Sequence, residues 1–206
     1  ANIASAAAAH GIDQFVHVSA IGADPESPSA YGRSRAAAEA AVNTAVPAAT
    51  IVRPSIIFGR QDQFINRFAR LITAAPVVPM LAPDTRFQPV FVGDVAQAIV
   101  TALAHRDASA GTTFELGGPR VLTMRELYAW IARNIGRDPL FIELPDAISS
   151  LIATTTGWLP GAPITRDQWR MLTRDNVVAP DATGCVALNI VPTALETVAP
   201  GWLDMY

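Results

Sequence analysis

The sequence predicts an α/β fold: a mostly parallel sheet with helices on both faces. Short runs of β-branched and aromatic residues alternate along the chain with alanine-rich or amphipathic stretches of helical length. Gly, Pro and helix-capping residues fall at the joins. Strands separated by helices run parallel, because each helix carries the chain back to the same end of the sheet.

Each element follows in order. Residues 1–10 read as a helix in progress, closed by Gly11, and Phe15-Val16-His17-Val18-Ser19-Ala20 reads as a buried strand. A chain that opens on a finished helix–glycine–strand connection reads as the middle of a fold. An alanine-rich helix follows over 29–44, then a strand over 48–53 stopped by Pro54. Residues 61–74 form an amphipathic helix with Phe64, Phe68, Leu71 and Ile72 on one face. Pro76, Pro79 and Pro83 mark an irregular loop. Residues 87–92 make one short strand, and Asp94 caps a helix running to Ala104. A strand over 112–116 is closed by Gly117-Gly118-Pro119, where the proline favours a tight turn over a phosphate loop. Thr123 and Glu126 form a capping box opening a helix to Gly136, and 140–144 is a last strand.

Composition narrows the functional classes. The chain has 206 residues, half of them apolar, and a formal net charge of −3. That balance argues against a nucleic-acid surface. One cysteine, Cys185, excludes a disulfide framework and a Cys-rich zinc site, and it reads as a small buried hydrophobe. His10, His17 and His105 have no metal-ligand spacing. The uncharged run 147–165 holds Gly157, Pro160, Gly161 and Pro163, whereas a membrane span needs roughly 20 continuous apolar residues. It reads as a helix followed by a proline-rich loop, with a segment lying on a membrane or partner surface as the other reading.

The chemistry begins with Tyr31 and Arg35, one helical turn apart on a shared face. A cation beside a phenol favours the phenolate. Such a tyrosine can relay a proton to or from a substrate oxygen while hydride moves to or from a nicotinamide. On its own this spacing is weak evidence and reads first as an ordinary half-buried tyrosine beside a surface arginine.

Four blocks give it context. They are Phe15-Val16-His17-Val18-Ser19-Ala20, Tyr31-Gly32-Arg33-Ser34-Arg35, Val52-Arg53-Pro54-Ser55-Ile56-Ile57-Phe58-Gly59 and Val90-Phe91-Val92-Gly93-Asp94-Val95-Ala96. In order and spacing they resemble the extended and atypical short-chain dehydrogenase/reductase superfamily, also called NAD-dependent epimerase/dehydratases. In turn they look like the strand of the catalytic serine, the Tyr-x-x-x-Lys helix, the strand and turn covering the nicotinamide, and the start of the substrate-domain helix. Val18-Ser19-Ala20-Ile21-Gly22-Ala23-Asp24, with Pro163-Ile164-Thr165-Arg166-Asp167-Gln168 and Asp175-Asn176-Val177-Val178, is similar to the branch of the nucleotide-binding accessory subunit of respiratory complex I.

The resemblance implies a Rossmann-like core with NAD or NADP as cofactor. It makes Tyr31 and Arg35 the catalytic candidates and Ser19, Ala20, Tyr31, Arg35, Pro54, Ser55 and Ile56 the cofactor-binding candidates. Ile21, Phe58, Phe64 and Phe87 are candidates for a substrate pocket, with core packing as the alternative for the three phenylalanines. The implied division is residues 1–60 as the C-terminal half of the core, 61–111 as a first segment of a substrate-side lobe, 112–119 as a core strand, and 120–206 as the rest of that lobe with the C-terminal helices.

Three departures bear on activity. The glycine-rich turn that cradles pyrophosphate is absent from these residues. Arg35 stands where the family has lysine, and a planar fork does not replace a compact ammonium freely. Ala20, not Ser19, aligns with the catalytic hydroxyl, and neighbours on a strand point to opposite faces. The reading is an NAD(P)-binding protein with a structural or regulatory nucleotide and little or no turnover, with respiratory-complex subunits as implied partners. The alternative is an active reductase, epimerase or dehydratase on a nucleotide sugar or other carbonyl, with Tyr31 as acid/base. A third is an interaction module with a vestigial site. No metal, nucleic acid or transmembrane segment is expected. The expected location is cytoplasmic, peripheral at the inner face of a membrane.

Overall fold

The structure, a computed structural model, describes residues 2–156 and 164–206. It is mixed α/β with parallel pairings, as the alternating pattern requires. Helix α1 (Asn2–Ala9) leads to strand β1 (Val16–Val18), helix α2 (Ala30–Ala45) and strand β2 (Thr50–Pro54). Then come β3 (Ile57–Phe58), α3 (Ile65–Ala74), β4 (Val77–Met80), β5 (Arg86–Phe87), β6 (Val90–Phe91), α4 (Val92–Ala104) and α5 (Arg106–Ser109). After β7 (Thr113–Leu116) follow β8 (Leu122–Thr123), α6 (Met124–Asn134), β9 (Leu140–Glu143), α7 (Asp146–Thr156) and α8 (Arg166–Leu172). A 3₁₀ turn (Cys185–Leu188), α9 (Leu195–Val198) and α10 (Pro200–Leu203) complete the described elements.

Strands β1, β2 and β7 form the central parallel sheet in that order, with Val18 opposite Val52 and Arg53 opposite Glu115. Side-chain alternation divides its two faces. Ile51 packs with Ala4, Val42, Val46 and Ala49 on the side of α1 and α2. Val52, Phe114 and Leu116 pack with Val95 and Ala98 of α4, and with Cys185, Leu188 and Ile190, on the other. Helix α4 thus covers one face of this sheet.

A second apolar core gathers Phe58, Ile65, Ile72, Val78, Met80, Leu127, Ile131 and Leu203. It draws on chain before and after β7.

Three local expectations are corrected. The proline-marked loop contains a strand: β4 pairs in parallel with β9, Val77 opposite Leu140. Val78 and Met80 point inward while Pro79 is exposed, a period-2 pattern that the prolines masked. A two-stranded sheet leaves β4 a free edge, where proline is tolerated. Residues 87–92 are not one strand. Pro89 divides them into β5, antiparallel to β8, and β6, parallel to β3. Asp94 is not an N-cap, because α4 starts earlier, at Val92, with Phe91 at the cap position. Its buried carboxylate instead accepts the Thr193 N–H at 2.6 Å and the Thr193 hydroxyl at 2.8 Å, tying the C-terminal segment to α4.

Ser29, at the expected start of the 29–44 helix, caps α2, and the expected Thr123–Glu126 capping box opens α6. A Cβ on Gly118 would run into the Pro89 carbonyl oxygen, so this glycine serves close backbone approach. The start of the 147–165 run is helical in α7, while Gly157, Pro160, Gly161 and Pro163 lie outside the described residues. Among the described residues no helix is long and apolar enough to cross a membrane.

Candidate functional site

Helix α2 presents Tyr31, Arg35 and Glu39 at intervals of one turn. Tyr31 is 37% exposed, and the Arg35 guanidinium carbon lies 4.8 Å from its ring centroid. This is cation–π stacking, so the shared face expected from the spacing is realised through the ring. Arg35 Nε is buried and has no hydrogen-bond partner.

A line of charge continues beneath this pair. Arg53 Nε and Nη2 donate to the two carboxylate oxygens of buried Glu39 at 2.9 and 2.6 Å. Its Nη1 is 3.6 Å from Glu115, whose other oxygen accepts the Ala179 N–H at 3.0 Å. Hydrogen bonding to Glu39 raises the Arg53 pKa against the opposing effect of burial. His17 faces the same helix from β1. Burial lowers its pKa, Glu39 opposes that shift and Arg35 adds to it. Its Nε2 is buried and unpartnered. The imidazole is therefore held toward its neutral form.

Ser19 and Ala20 sit where β1 runs out. The Ser19 N–H donates to the Val52 carbonyl at 2.7 Å, and the Ile21 N–H to the Pro54 carbonyl at 3.1 Å, so the ladder continues past Val18. Ser19 is buried with its hydroxyl unpartnered, and it shares the α2-facing side with His17. Ala20 is partly exposed.

The segment after β2 joins the same neighbourhood. Ser55 donates its N–H to the Leu116 carbonyl at 2.8 Å. Its hydroxyl lies 2.8 Å from the main-chain oxygen and 2.7 Å from the side-chain oxygen of Asn176. The Asn176 side-chain amide reaches the Ile21 carbonyl at 3.5 Å, and its backbone pairs with Arg86 and Gln88 of the β5 region. Pro54 is buried and Ile56 packs against the second core. Asn176 is the residue that links Ile21, Ser55 and β5. Sequence reasoning quoted it within a motif and gave it no task, because the signal for its role is a contact across 121 positions.

The four pocket candidates separate. Phe58 and Phe87 lie in the second core, essentially inaccessible. Phe64 packs at their margin, its ring 4.8 Å from Phe68 and 5.6 Å from Phe87. Only Ile21 lies beside the Ser55–Asn176 junction. Among the described residues no three His, Cys, Asp or Glu side chains gather in a metal-binding group.

This arrangement can hold a ring or sugar hydroxyl against a half-exposed phenol that a fixed cation accompanies. These residues hold no glycine-rich turn for the pyrophosphate of a dinucleotide.

Comparisons with known proteins agree with the fold. The family model described as RmlD substrate binding domain matches residues 1–157. The mitochondrial NADH dehydrogenase [ubiquinone] 1 alpha subcomplex subunit 9 of Arabidopsis thaliana is 36% identical over 95% of this chain and 51% of its own length. The mitochondrial NADH-ubiquinone oxidoreductase 40 kDa subunit of Neurospora crassa is 30% identical over 99% of this chain and 54% of its own. The chain thus spans about half the length of these curated relatives. Among solved structures, an NADPH-dependent quinone oxidoreductase from Escherichia coli, complexed with NADPH, superposes with a TM-score of 0.74 at 19% identity. That match covers 96% of this chain and 69% of the other, and it shows the fold.

Proposed function

Because the chain belongs to the RmlD substrate binding domain family of short-chain-dehydrogenase-like epimerases and dehydratases, we propose that it is the nicotinamide- and substrate-side part of an NAD(P)-binding protein of the complex I accessory kind. Nucleotide there serves structure or regulation, with little or no turnover. The observation that carries this reading is the state of Arg35 and of the Ser19–Ala20 pair. Arg35 is stacked on the ring it would have to polarise, and Ser19 keeps its hydroxyl buried on the helix side while Ala20 stands at the more open position.

In this reading Tyr31 meets the nicotinamide ribose and holds a proton at its phenol oxygen. Arg35 supplies positive charge at the ring face. Residues 54–56, braced by Asn176, cover the nicotinamide side and exclude water. When bound, the nucleotide supplies or accepts a hydride. Respiratory-complex subunits are the partners, in keeping with the relatives' names, and the protein sits peripherally at the inner face of a membrane. The alternative, an active reductase, epimerase or dehydratase on a nucleotide sugar or other carbonyl, draws support from the half-exposed Tyr31 and its adjacent cation.

The test is a substrate panel on a protein of the relatives' full length that contains these residues, with NAD, NADH, NADP and NADPH. Nucleotide-dependent stabilisation without turnover is the expected result. Turnover at ~1 s⁻¹ or faster, a typical enzyme rate, that Tyr31→Phe abolishes would establish the alternative instead.

A further inference from the structure

Helix α8 reaches from the substrate-side lobe to the first turn of α2. One carboxylate oxygen of Asp167 accepts the Ala30 N–H at 2.7 Å, and the other accepts the Tyr31 N–H at 3.2 Å. Ser29 takes the next donor, the Gly32 N–H, at 2.9 Å. An α-helix leaves its first N–H groups without internal partners. Here three are satisfied by side chains, two of them by a residue 136 and 137 positions away. A carboxylate at this end also meets the favourable pole of the helix dipole. Beside it, Arg170 Nη1 donates to the Pro28 carbonyl at 3.1 Å.

The other side of α8 is fixed to its own lobe. Trp169 is buried among Ala82, Ala153 and Ile164. A Thr165–Gln168 capping box starts the helix, the Thr85 hydroxyl donates to the Leu172 carbonyl at 2.7 Å, and Arg86 grips Asp175 just beyond. α8 is thus rigidly mounted on one lobe and hydrogen-bonded to the very residue of the other that carries the candidate phenol.

We propose that Asp167 is a positioning residue for Tyr31, with Arg170 as a second grip. Together they latch the substrate-side lobe to the turn that carries the tyrosine, so the phenol is placed only while that lobe is docked. A nucleotide held by Tyr31 would in turn favour the docked latch, since coupling between two binding events is reciprocal. That last consequence rests on the nucleotide reading above. The experiment below is run without nucleotide, so the two can fail separately.

The chain has three tyrosines, Tyr31, Tyr128 and Tyr206, which lets ring ¹³C labelling follow Tyr31 after assignment with Tyr31→Phe. Backbone amide exchange and the ring signal are compared in Asp167→Ala, Asp167→Asn, Asp167→Glu and Arg170→Ala. In Asp167→Ala, exchange at Ala30 and Tyr31 should rise about tenfold, the scale of one lost capping interaction. The Tyr31 ring signal should move while α6 amides and the other two tyrosines stay put. Asp167→Asn, nearly isosteric and able to accept through one oxygen, should give an intermediate effect, and it serves if the alanine variant does not fold. Asp167→Glu should restore part of the protection, and Arg170→Ala should shift the same signals less. Unmoved Ala30 and Tyr31 amides in both Asp167→Ala and Asp167→Asn would overturn the proposal. So would an equal rise in exchange throughout α6, which would make Asp167 a general stabiliser.

Discussion

The Arg35 guanidinium lies over the ring of Tyr31 with its carbon 4.8 Å from the centroid, so the cation meets the π face of the phenol. A lysine ammonium at this position would be compact and free to reach a ribose hydroxyl, whereas the planar fork prefers to stack. This relationship sets the first expectation. In a protein of the relatives' full length that contains these residues, Arg35→Lys and Ala20→Ser should each raise any residual turnover, and the double variant most. A missing oxyanion donor typically costs ~10²–10³ in rate, and misplacement of a catalytic group costs another ~10². Steady-state assays of the four proteins decide it. Equal rates in all four would show that neither position limits the chemistry.

The 206-residue chain by itself should bind NADH and NADPH negligibly, because its sequence has no glycine-rich turn for the pyrophosphate. Calorimetric titration of the isolated chain measures this. Micromolar affinity would mean that other backbone N–H groups supply the anchor.

His17 should give the fold a pH-dependent stability. Burial holds its folded pKa below the ordinary 6.5. The unfolded state then binds a proton more readily than the folded one, so stability is complete above 6.5 and declines as pH falls toward the lowered folded value. His17→Gln should flatten the melting-temperature profile between about pH 7 and pH 5, where His titrates. A profile of unchanged slope in the variant would assign the effect to carboxylates.

Asp94→Ala should destabilise the chain by about 1–3 kcal/mol, since it removes the acceptor for both the N–H and the hydroxyl of partly buried Thr193. Chemical denaturation reads the loss. Asp94→Asn, which keeps one acceptor oxygen, should recover part of it. A substitution cost near zero would show that water replaces the carboxylate.

How much was legible in the sequence depended on the range of the interaction. Thr123 and Glu126 announced their helix because caps act within three or four residues. The Tyr31–Arg35 pair was likewise local. β4 was hidden because Pro76, Pro79 and Pro83 signal irregular chain, and only the presence of β9 makes Val77–Met80 a strand. Asp94 looked like a cap because the sequence pattern could not reveal Thr193, 99 positions on. Asn176 and Asp167 belonged to recognisable stretches, yet their tasks are defined by Ser55, Ile21, Ala30 and Tyr31, none of them near in sequence.

That same range of contact bears on how the chain acquires its shape. β4 waits for β9, α4 waits for Thr193, and the first turn of α2 waits for Asp167. Closing such large loops carries an entropic cost before any contact repays it, and folds rich in distant pairings reach the native state slowly. During synthesis the apolar side of α3 is made well before Leu127 and Ile131 of α6 can cover it. Until then that apolar side is uncovered, the condition in which aggregation competes with folding.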